Sequence, residues 1–379
     1  YLDSNGPGGY AVLNNASSGG AGFINWFAFN DTRYQVTEKD VYKVFGNVYG
    51  ELEILKGLKF RTSIGVEFMD YGGKEKRGEL DISSLEGFVN PTNINYGDFN
   101  SLTRNFNNIL TYDLDLGKHS LKILAGHEET NYEFNSIAWG GINLTNPDIE
   151  LALTAQSKNL YDDLDHWALR GFLGRVNYSF NDKYYLTANL RQDSSSRFSK
   201  DTRTQLFPSV SAAWRISDES FMDGVDFIND LKIRASYGTV GNQNTGNNFA
   251  YIPSLGLSTH YTIGAGQTAV RAPVPWFFSN PNLKWETSEQ IDIGIDASLF
   301  DGAVGATVDY YKKTTSDLLV SVPIPMTSGF LPDALINAGV VENSGIELSL
   351  SYFKSINDDF DINISGNLTT VNNEVTSLA

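Results

Sequence analysis

Apolar and polar residues alternate in long runs of this chain, and this pattern constrains its fold more than any other feature. The clearest run is LKIRASYG, residues 231–238, in which apolar side chains take turns with Lys232, Arg234 and Ser236. Successive side chains of a β-strand point to opposite faces of its sheet, so a period of two indicates a strand. The sequence therefore predicts strands with one apolar face and one polar face.

The alternating runs are long, and short turns join them. Turn sequences separate neighbouring runs at 55–57, 116–118, 181–182, 300–302 and 356–359. Many runs reach about 10 residues, whereas strands of soluble sheets usually have about 5 to 6. A tilted strand that crosses a bilayer needs about 9 to 11 residues. We therefore predict roughly a dozen long antiparallel strands arranged as hairpins.

The connections at the other ends of the predicted strands are long. They lie near residues 71–101, 135–165, 241–284 and 321–339, and they are polar and rich in Gly, Asn and Pro. Short turns at one end and long loops at the other are typical of outer-membrane barrels. The sequence thus favours an all-β fold, an antiparallel transmembrane β-barrel.

One connection on the short side is larger than the rest. Residues 217–231 predict a small capped helix or turn, in which Ser217 is followed three residues later by Ser220 instead of the Glu of an ideal capping box.

A membrane would explain why the strands have two unlike faces. In lipid every backbone amide must be paired, so a closed barrel presents one face to acyl chains and the other to a polar lumen. The side chains that we expect to face the lumen include Lys232, Arg234, Asp292 and Asp296. A soluble antiparallel sandwich or a β-solenoid remains an alternative, because its half-buried strands also alternate.

Composition excludes several other classes of protein. The 379 residues carry a formal charge of −17, which argues against a nucleic-acid partner, because phosphate binding draws on clusters of Lys and Arg. The chain has no cysteine, which excludes disulfides and thiolate catalysis. Aromatic residues make up 13%, a proportion that favours strands.

No motif predicts catalysis, a metal site or a cofactor. His119, His127, His166 and His260 lack the spacing of metal ligands. The acidic run YDDLDHW at 161–167 lacks the spacing of a calcium-binding loop, so we expect a solvated loop there. Neither a G-x-S-x-G elbow nor a P-loop is found. We therefore expect no catalytic residues.

Several motifs, taken in order, carry a family resemblance. GRVNYSFNDKYYLTANLRQDSSSRF begins the stretch 174–222, and LKIRASYG is followed by Gly241, Asn242 and Gln243. NPNLKWETSEQIDIGID, DYYKKTTSDLL and NAGVVENSGIELSL follow at 280–296, 309–319 and 337–350. Together they resemble the SusC/RagA group of TonB-dependent outer-membrane transporters. The resemblance covers the chain from about residue 170 onward, and earlier residues fit by pattern alone. Ser194 departs from it, because the family commonly has glycine there.

The resemblance implies an architecture larger than this chain. Such transporters have barrels of about 22 strands with a plugged lumen, so residues 1–379 represent about half of one barrel domain in the bacterial outer membrane. We therefore expect this chain to lack the N-terminal plug, the TonB box and the C-terminal strands, and the ending NNEVTSLA predicts no terminal strand.

The resemblance also implies a function and partners. These are the import of oligosaccharides or peptides, a SusD-like surface lipoprotein that acts as a lid, and energy from TonB relayed through the absent N-terminal region. The alternative is a non-transporting surface protein that binds carbohydrate.

Aromatic residues in the long connections are the candidate ligand contacts, because flat rings stack on sugar C–H faces and hold apolar peptide side chains. They are Trp139, Tyr251, Tyr261, Trp276, Phe277 and Phe278. Packing against the lid or the plug, or a place in the aromatic girdle, is the alternative.

Overall fold

The computed structural model describes residues 35–78, 80–81, 89–90, 92–146, 149–275, 277–325, 327 and 333–378. The strands in these residues are β1 Gln35–Leu55, β2 Leu58–Arg77, β3 Leu80–Asp81, β4 Val89–Asn90, β5 Asn93–Leu116, β6 His119–Leu144, β7 Ala155–Phe180, β8 Tyr184–Ser195, β9 Thr204–Arg215, β10 Ile228–Asn242, β11 Leu255–Ile263, β12 Thr268–Pro275, β13 Glu286–Leu299, β14 Val304–Ser316, β15 Leu319–Val322, β16 Ala334–Asn337, β17 Val340–Asn357, β18 Phe360–Thr369 and β19 Asn372–Ser377. Short 3₁₀ turns lie at Ala152–Thr154, Ile216–Asp218 and Ser220–Met222.

Most of these strands belong to one antiparallel sheet. Its order is β1-β2-β5-β6-β7-β8-β9-β10-β13-β14-β17-β18, and β19 pairs with β17 as well. Three two-stranded sheets, β3-β4, β11-β12 and β15-β16, lie within the connections. The predicted all-β antiparallel fold is confirmed, and strands such as β6 and β7, with 26 residues each, exceed the predicted length.

The chain consists of two compact units, and each has a buried core. The first comprises the described residues up to 47, together with 65–104 and 131–166. Ile94, Leu144 and Ala155 form its core. The second unit comprises 48–64, 105–130 and the described residues from 167 onward. Its core is larger and consists of Phe198, Phe207, Ala250, Leu283 and Trp285.

The predicted short turns are confirmed. Asn181 and Asp182, in the three-residue connection between β7 and β8, both have φ of 53°, the left-handed backbone of a type I′ turn. Gly57 has φ of 83° in the turn between β1 and β2, and a side chain there would also collide with the Asp113 carbonyl oxygen. Turn residues favouring positive φ therefore set these hairpins.

The predicted bounds of the long connections are wrong, because strands extend into them. β2 continues to Arg77 and β5 begins at Asn93, inside the predicted connection 71–101. Likewise β6 and β7 extend into 135–165, and 241–284 contains the β11-β12 hairpin. These extensions carry polar residues on both faces, so the alternation fades before the hydrogen-bonded ladder ends.

Two further expectations are corrected. The predicted capped helix within 217–231 consists of two 3₁₀ turns, whose N-cap residues Arg215 and Glu219 make no side-chain cap hydrogen bond. The chain ending was predicted to lack a strand, yet Asn372–Ser377 pairs with β17. Backbone pairing forms this strand although the segment lacks apolar alternation. In the described part of the chain, no helix has the length and hydropathy needed to cross a membrane.

Candidate functional site

The polar face of β10, β13 and β14 brings predicted site residues together. In the antiparallel register Lys232 lies opposite Asp296, and Arg234 lies opposite Gly294, which in turn lies opposite Asp309. Directly opposed residues share a face of the sheet. The register therefore places two cations and two carboxylates side by side.

Their side chains form one ion-pair network. Asp296 Oδ2 lies 3.1 Å from Lys232 Nζ and 3.1 Å from Arg234 Nε. The other end of the Arg234 guanidinium donates from Nη2 to Asp309 Oδ2 at 2.7 Å. Thr307 adds a hydroxyl donor to Asp296 Oδ1 at 3.2 Å. Charge-assisted hydrogen bonds of this kind fix side-chain geometry as well as adding stability.

Asp292, the fourth predicted residue on this face, lies outside the network. Its carboxylate accepts hydrogen bonds from Gln290 Nε2 at 2.9 Å and Ser236 Oγ at 3.3 Å. Asp309, the second carboxylate of the network, is not among the residues predicted from the sequence. The sequence pattern could have indicated it, since Asp309 occupies a polar-face position of the alternating run that starts at Val304.

A recess of about 450 Å³ opens beside this network. Arg215, Lys232, Arg234 and Asp292 line it together with hydroxyl side chains such as Tyr185. These groups supply several hydrogen-bond donors and one carboxylate acceptor, a set that suits hydroxyl-rich or carboxylate-bearing ligands.

The opposite face of the same strands is apolar and exposed. Ile295 lies opposite Ile233 on one side and Val308 on the other, and Ile293 lies opposite Tyr310. Side chains on this face are as exposed as Ile293 at 51% and Tyr310 at 47%. Soluble monomers rarely expose contiguous apolar surfaces of this extent, so the face is suited to an apolar partner.

The predicted loop aromatics are divided between the two compact units. Trp139 lies in β6 and belongs to the first unit. In the second unit, Tyr261 lies in β11 and is 58% exposed, Tyr251 is half-buried in a turn, and Phe277 and Phe278 follow β12.

Trp276, the sixth predicted contact, lies outside the described residues. The structure therefore leaves the ligand role of this set as a prediction.

Trp139 is part of an aromatic pair beside an ionic cluster. Its ring stacks on Tyr96 with centroids 5.4 Å apart and planes inclined by 14°. The Tyr96 hydroxyl donates to the backbone oxygen of Glu150 at 2.5 Å. The Glu150 carboxylate bridges Lys74, at 2.8 Å, and Lys76, at 3.2 Å. The partly exposed Trp139 ring therefore packs on a tyrosine whose own position is fixed by its hydrogen bond to Glu150.

The Glu150 cluster shifts the proton affinities of its members. Hydrogen bonds from Lys74 first, and from Lys76, hold the pKa of Glu150 below its ordinary value of 4.5. The hydrogen bond to Glu150, followed by that to Glu38, raises the pKa of Lys74 above its ordinary value. Glu150 and Lys74 are therefore both charged at neutral pH.

The motifs that carried the family resemblance meet in the core of the second unit. The Trp285 ring packs against Phe198 and Phe207 with centroids 5.5 Å away in each case. Its indole Nε1 donates to the Arg203 carbonyl oxygen at 2.9 Å. A side chain at Gly241 would collide with the Phe207 and Trp285 rings. We call Phe198, Phe207 and Trp285 the aromatic knot.

The Asn337 side chain links the residue before Trp285 to the connection that follows β14. Asn337 accepts a hydrogen bond from the Lys284 backbone N at 2.9 Å and donates to the Asp317 carbonyl oxygen at 2.9 Å.

Ser194, the departure from the family pattern, lies within β8 and pairs with Arg170 and Thr204. A residue in this extended ladder needs no glycine, so serine is accommodated.

In the described residues, no group of three or more His, Asp and Glu side chains is arranged to hold a metal ion. His119 Nδ1 instead lies 2.7 Å from the Tyr178 hydroxyl, and the His127 ring packs on Phe172 with centroids 4.9 Å apart.

Comparison with known proteins extends the resemblance over the whole chain. The model of the family described as TonB dependent receptor-like, beta-barrel matches residues 1–378, including the region before 170 that sequence reasoning assigned by pattern alone. The TonB-dependent receptor SusC of Bacteroides thetaiotaomicron is 31% identical over 339 residues, covering 86% of this chain and 32% of that protein. The TonB-dependent receptor P26 of Formosa agariphila is 36% identical over 291 residues, covering 72% of this chain and 28% of that protein.

Solved structures agree with the sequence matches. The RagAB peptide importer in its closed-closed state has a TM-score of 0.81 and 25% identity, covering 92% of this chain and 38% of that chain. The siderophore receptor PiuA from Acinetobacter baumannii, at 13% identity and a TM-score of 0.52, shares the fold. The chain spans about a third of the length of the curated relatives it matches. It belongs to the TonB-dependent receptor β-barrel family and is of the SusC and RagA type.

Proposed function

We propose that this chain forms part of an outer-membrane barrel wall whose two faces meet different surroundings. The exposed apolar face of β10, β13 and β14 contacts lipid, and Lys232, Arg234, Asp292 and Asp296 face the lumen. The single observation that carries this proposal is the contrast between the ion-pair network on one face and half-exposed isoleucines on the other. Acyl chains make such an apolar face favourable, and a polar lumen solvates the network.

The wall serves the import of an oligosaccharide or a peptide. The support is similarity to SusC and to the structures named as the RagAB peptide transporter. By the same similarity, a SusD-like surface lipoprotein covers the long-loop end, and TonB acts through a region outside this chain. Residues 1–379 then belong to one barrel domain whose plug, TonB box and last strands lie elsewhere.

Ligand contacts belong to aromatic side chains at the long-loop end. The exposed Trp139 ring, backed by Tyr96, offers a flat apolar surface for a sugar ring or a peptide side chain. Tyr261 and Phe278 are exposed in the same manner within the second unit. Tyr251, Trp276 and Phe277 complete the proposed set.

The test is isolation of the full-length protein from native outer membranes in mild detergent, with mass spectrometry of what remains bound. We expect a heat-modifiable band on a gel, a lipoprotein partner, and an oligosaccharide or peptide. Full solubility without detergent would refute the membrane barrel and favour a surface carbohydrate-binding protein. A heat-modifiable barrel that carries no lipoprotein and no ligand would refute nutrient import alone.

A further inference from the structure

A groove crosses the apolar face of β8, β9 and β10 close to the short-turn end. Its volume is about 430 Å³, and its lining includes Tyr184, Leu186, Ala212, Trp214 and Ile233. Ligand pockets in proteins have volumes of about 300 to 1,000 Å³. The groove therefore has the capacity of a binding site, and these five residues lie on the face opposite the Arg234 side chain.

The strand register explains how the groove arises. One row of large side chains crosses the three strands, with Trp214 opposite both Tyr184 and Ile233. In the next row, Ala212 lies opposite both Leu186 and Ala235. Two adjacent alanines beside two large aromatic rings leave a depression, because an alanine fills far less of the space above the sheet. The sequence signals are the Ala212 of SAAW and the Ala235 of IRASY.

A polar cluster closes the groove at the short-turn end. Glu219 Oε1 accepts hydrogen bonds from the Tyr184 hydroxyl at 2.6 Å and from Trp214 Nε1 at 3.1 Å. Its other oxygen, Oε2, lies 3.4 Å from Lys183 Nζ. One carboxylate and one ammonium thus lie directly beside the two aromatic rings that wall the groove.

We infer that this groove holds one acyl chain of a zwitterionic aminophospholipid whose headgroup lies at the Lys183–Glu219 pair. The inference rests on the proposed function, since it needs this face to contact lipid. The groove is continuous with the exposed apolar surface, to which Leu186 at 46% and Phe221 at 64% exposure belong. The pair matches the headgroup in charge, because phosphate is attracted by the ammonium of Lys183 and the lipid amine by the carboxylate of Glu219.

Larger side chains that fill the groove test the acyl-chain site. Full-length protein purified in mild detergent is titrated with phosphatidylethanolamine and with phosphatidylglycerol of identical acyl chains, and bound lipid is counted by native mass spectrometry. The double variant Ala212→Leu and Ala235→Leu keeps the face apolar while removing the depression. Ala306→Leu, on the apolar face of β14 and outside the groove lining, is the matched control.

We expect wild-type protein and Ala306→Leu to retain one phosphatidylethanolamine, and the double variant to bind it about tenfold more weakly, equivalent to about 1.4 kcal/mol. Glu219→Gln, which keeps the shape of the side chain, should reduce the preference for phosphatidylethanolamine over phosphatidylglycerol. Equal retention by the double variant and the control would overturn the acyl-chain site. An unchanged headgroup preference in Glu219→Gln would overturn the headgroup assignment.

Heat-modifiable migration of each variant separates this inference from the proposed function. Unchanged lipid binding in a heat-modifiable barrel refutes the inference and leaves the barrel intact. Wild-type protein that is soluble without detergent and shows no heat-modifiable band refutes both.

Discussion

Gly294 shows how one residue shapes the polar face. It lies between Arg234 on β10 and Asp309 on β14 in the register of the sheet. An added Cβ would lie 2.7 Å from the Arg234 guanidinium carbon, and nearer still to the Asp309 carboxylate. Glycine at this position therefore gives the guanidinium the space to reach a carboxylate on either side.

Replacing Gly294 with Ala should displace Arg234 and lower stability by about 1 kcal/mol, the low end for overpacking, because flexible side-chain ends can shift. The measurement is the midpoint of the heat-modifiable transition of the detergent-purified protein. Gly366→Ala is the matched control, since nothing lies within 4 Å of a Cβ at that position in β18. Equal midpoints for the two variants would contradict the crowding.

The shifted pKa values of Glu150 and Lys74 predict that the stability of their ion pair depends on pH. The pKa of Glu150 is lowered from 4.5, so its contribution is present above that value and is lost as pH falls through the lowered pKa. The pKa of Lys74 is raised from 10.5, so its contribution is complete below that value and is lost only as pH rises through the raised pKa. The cluster is therefore fully formed at neutral pH and opens in acid.

We expect amide protection in residues 149–154, corrected for intrinsic exchange rates, to fall when the pH drops below the ordinary carboxyl pKa. Hydrogen exchange with mass spectrometry measures it. Glu150→Gln should show the reduced protection already at neutral pH. Profiles of variant and wild type that coincide at every pH would show that the Glu150 ion pairs do not hold this segment.

At the scale of elements, the aromatic knot ties distant strands and connections together. Phe198 follows β8, Phe207 lies in β9 and Trp285 precedes β13, and each is at most 6% exposed. The Trp285 indole satisfies a carbonyl of the β8-β9 connection that lies 82 residues away in sequence. The knot thus fixes where the long connections leave the sheet.

Trp285→Phe removes this hydrogen bond while keeping an aromatic ring, and it leaves the Arg203 carbonyl oxygen without that donor. The Arg203 carbonyl oxygen still accepts from the Ser195 backbone N at 3.0 Å, so we expect a loss of about 1 kcal/mol, with hydrogen exchange increasing first in residues 198–207. Trp139→Phe, at a position that is 40% exposed, is the matched control for stability. A loss of the same size in the control would contradict the role of the buried indole.

Elements also show what sequence alone can predict. Alternation within each run sets the faces, and it predicts that Lys232, Arg234 and Asp296 share one face. Turn chemistry, such as the pair Asn181 and Asp182, locates the hairpins for the same local reason. The aromatic knot depends on contacts between residues far apart in sequence, and neither periodicity nor turn signals carry that information.

At the scale of the whole molecule, the apolar face decides between a membrane wall and a soluble sheet. Val308 lies near the middle of this face, opposite Ile295 and Leu348, and is 43% exposed. In a soluble protein an exposed Val tolerates Arg, whereas Arg at the bilayer midplane of a barrel costs about 2 to 4 kcal/mol.

Val308→Arg should therefore reduce the amount of heat-modifiable barrel recovered from outer membranes, and Val308→Leu should leave it unchanged. Quantified gel mobility of full-length protein, with and without heating, measures this. Undiminished recovery of Val308→Arg would refute contact between this face and lipid.

The ion-pair network on the polar face balances its own charge. Lys232, Arg234, Asp296 and Asp309 together sum to zero formal charge, although the chain as a whole carries −17. In the proposed barrel, the network therefore adds hydrogen-bond donors and acceptors to the lumen wall without adding net charge. A preference for cargo of one sign would then come from neighbouring side chains such as Arg215, which lines the adjacent recess.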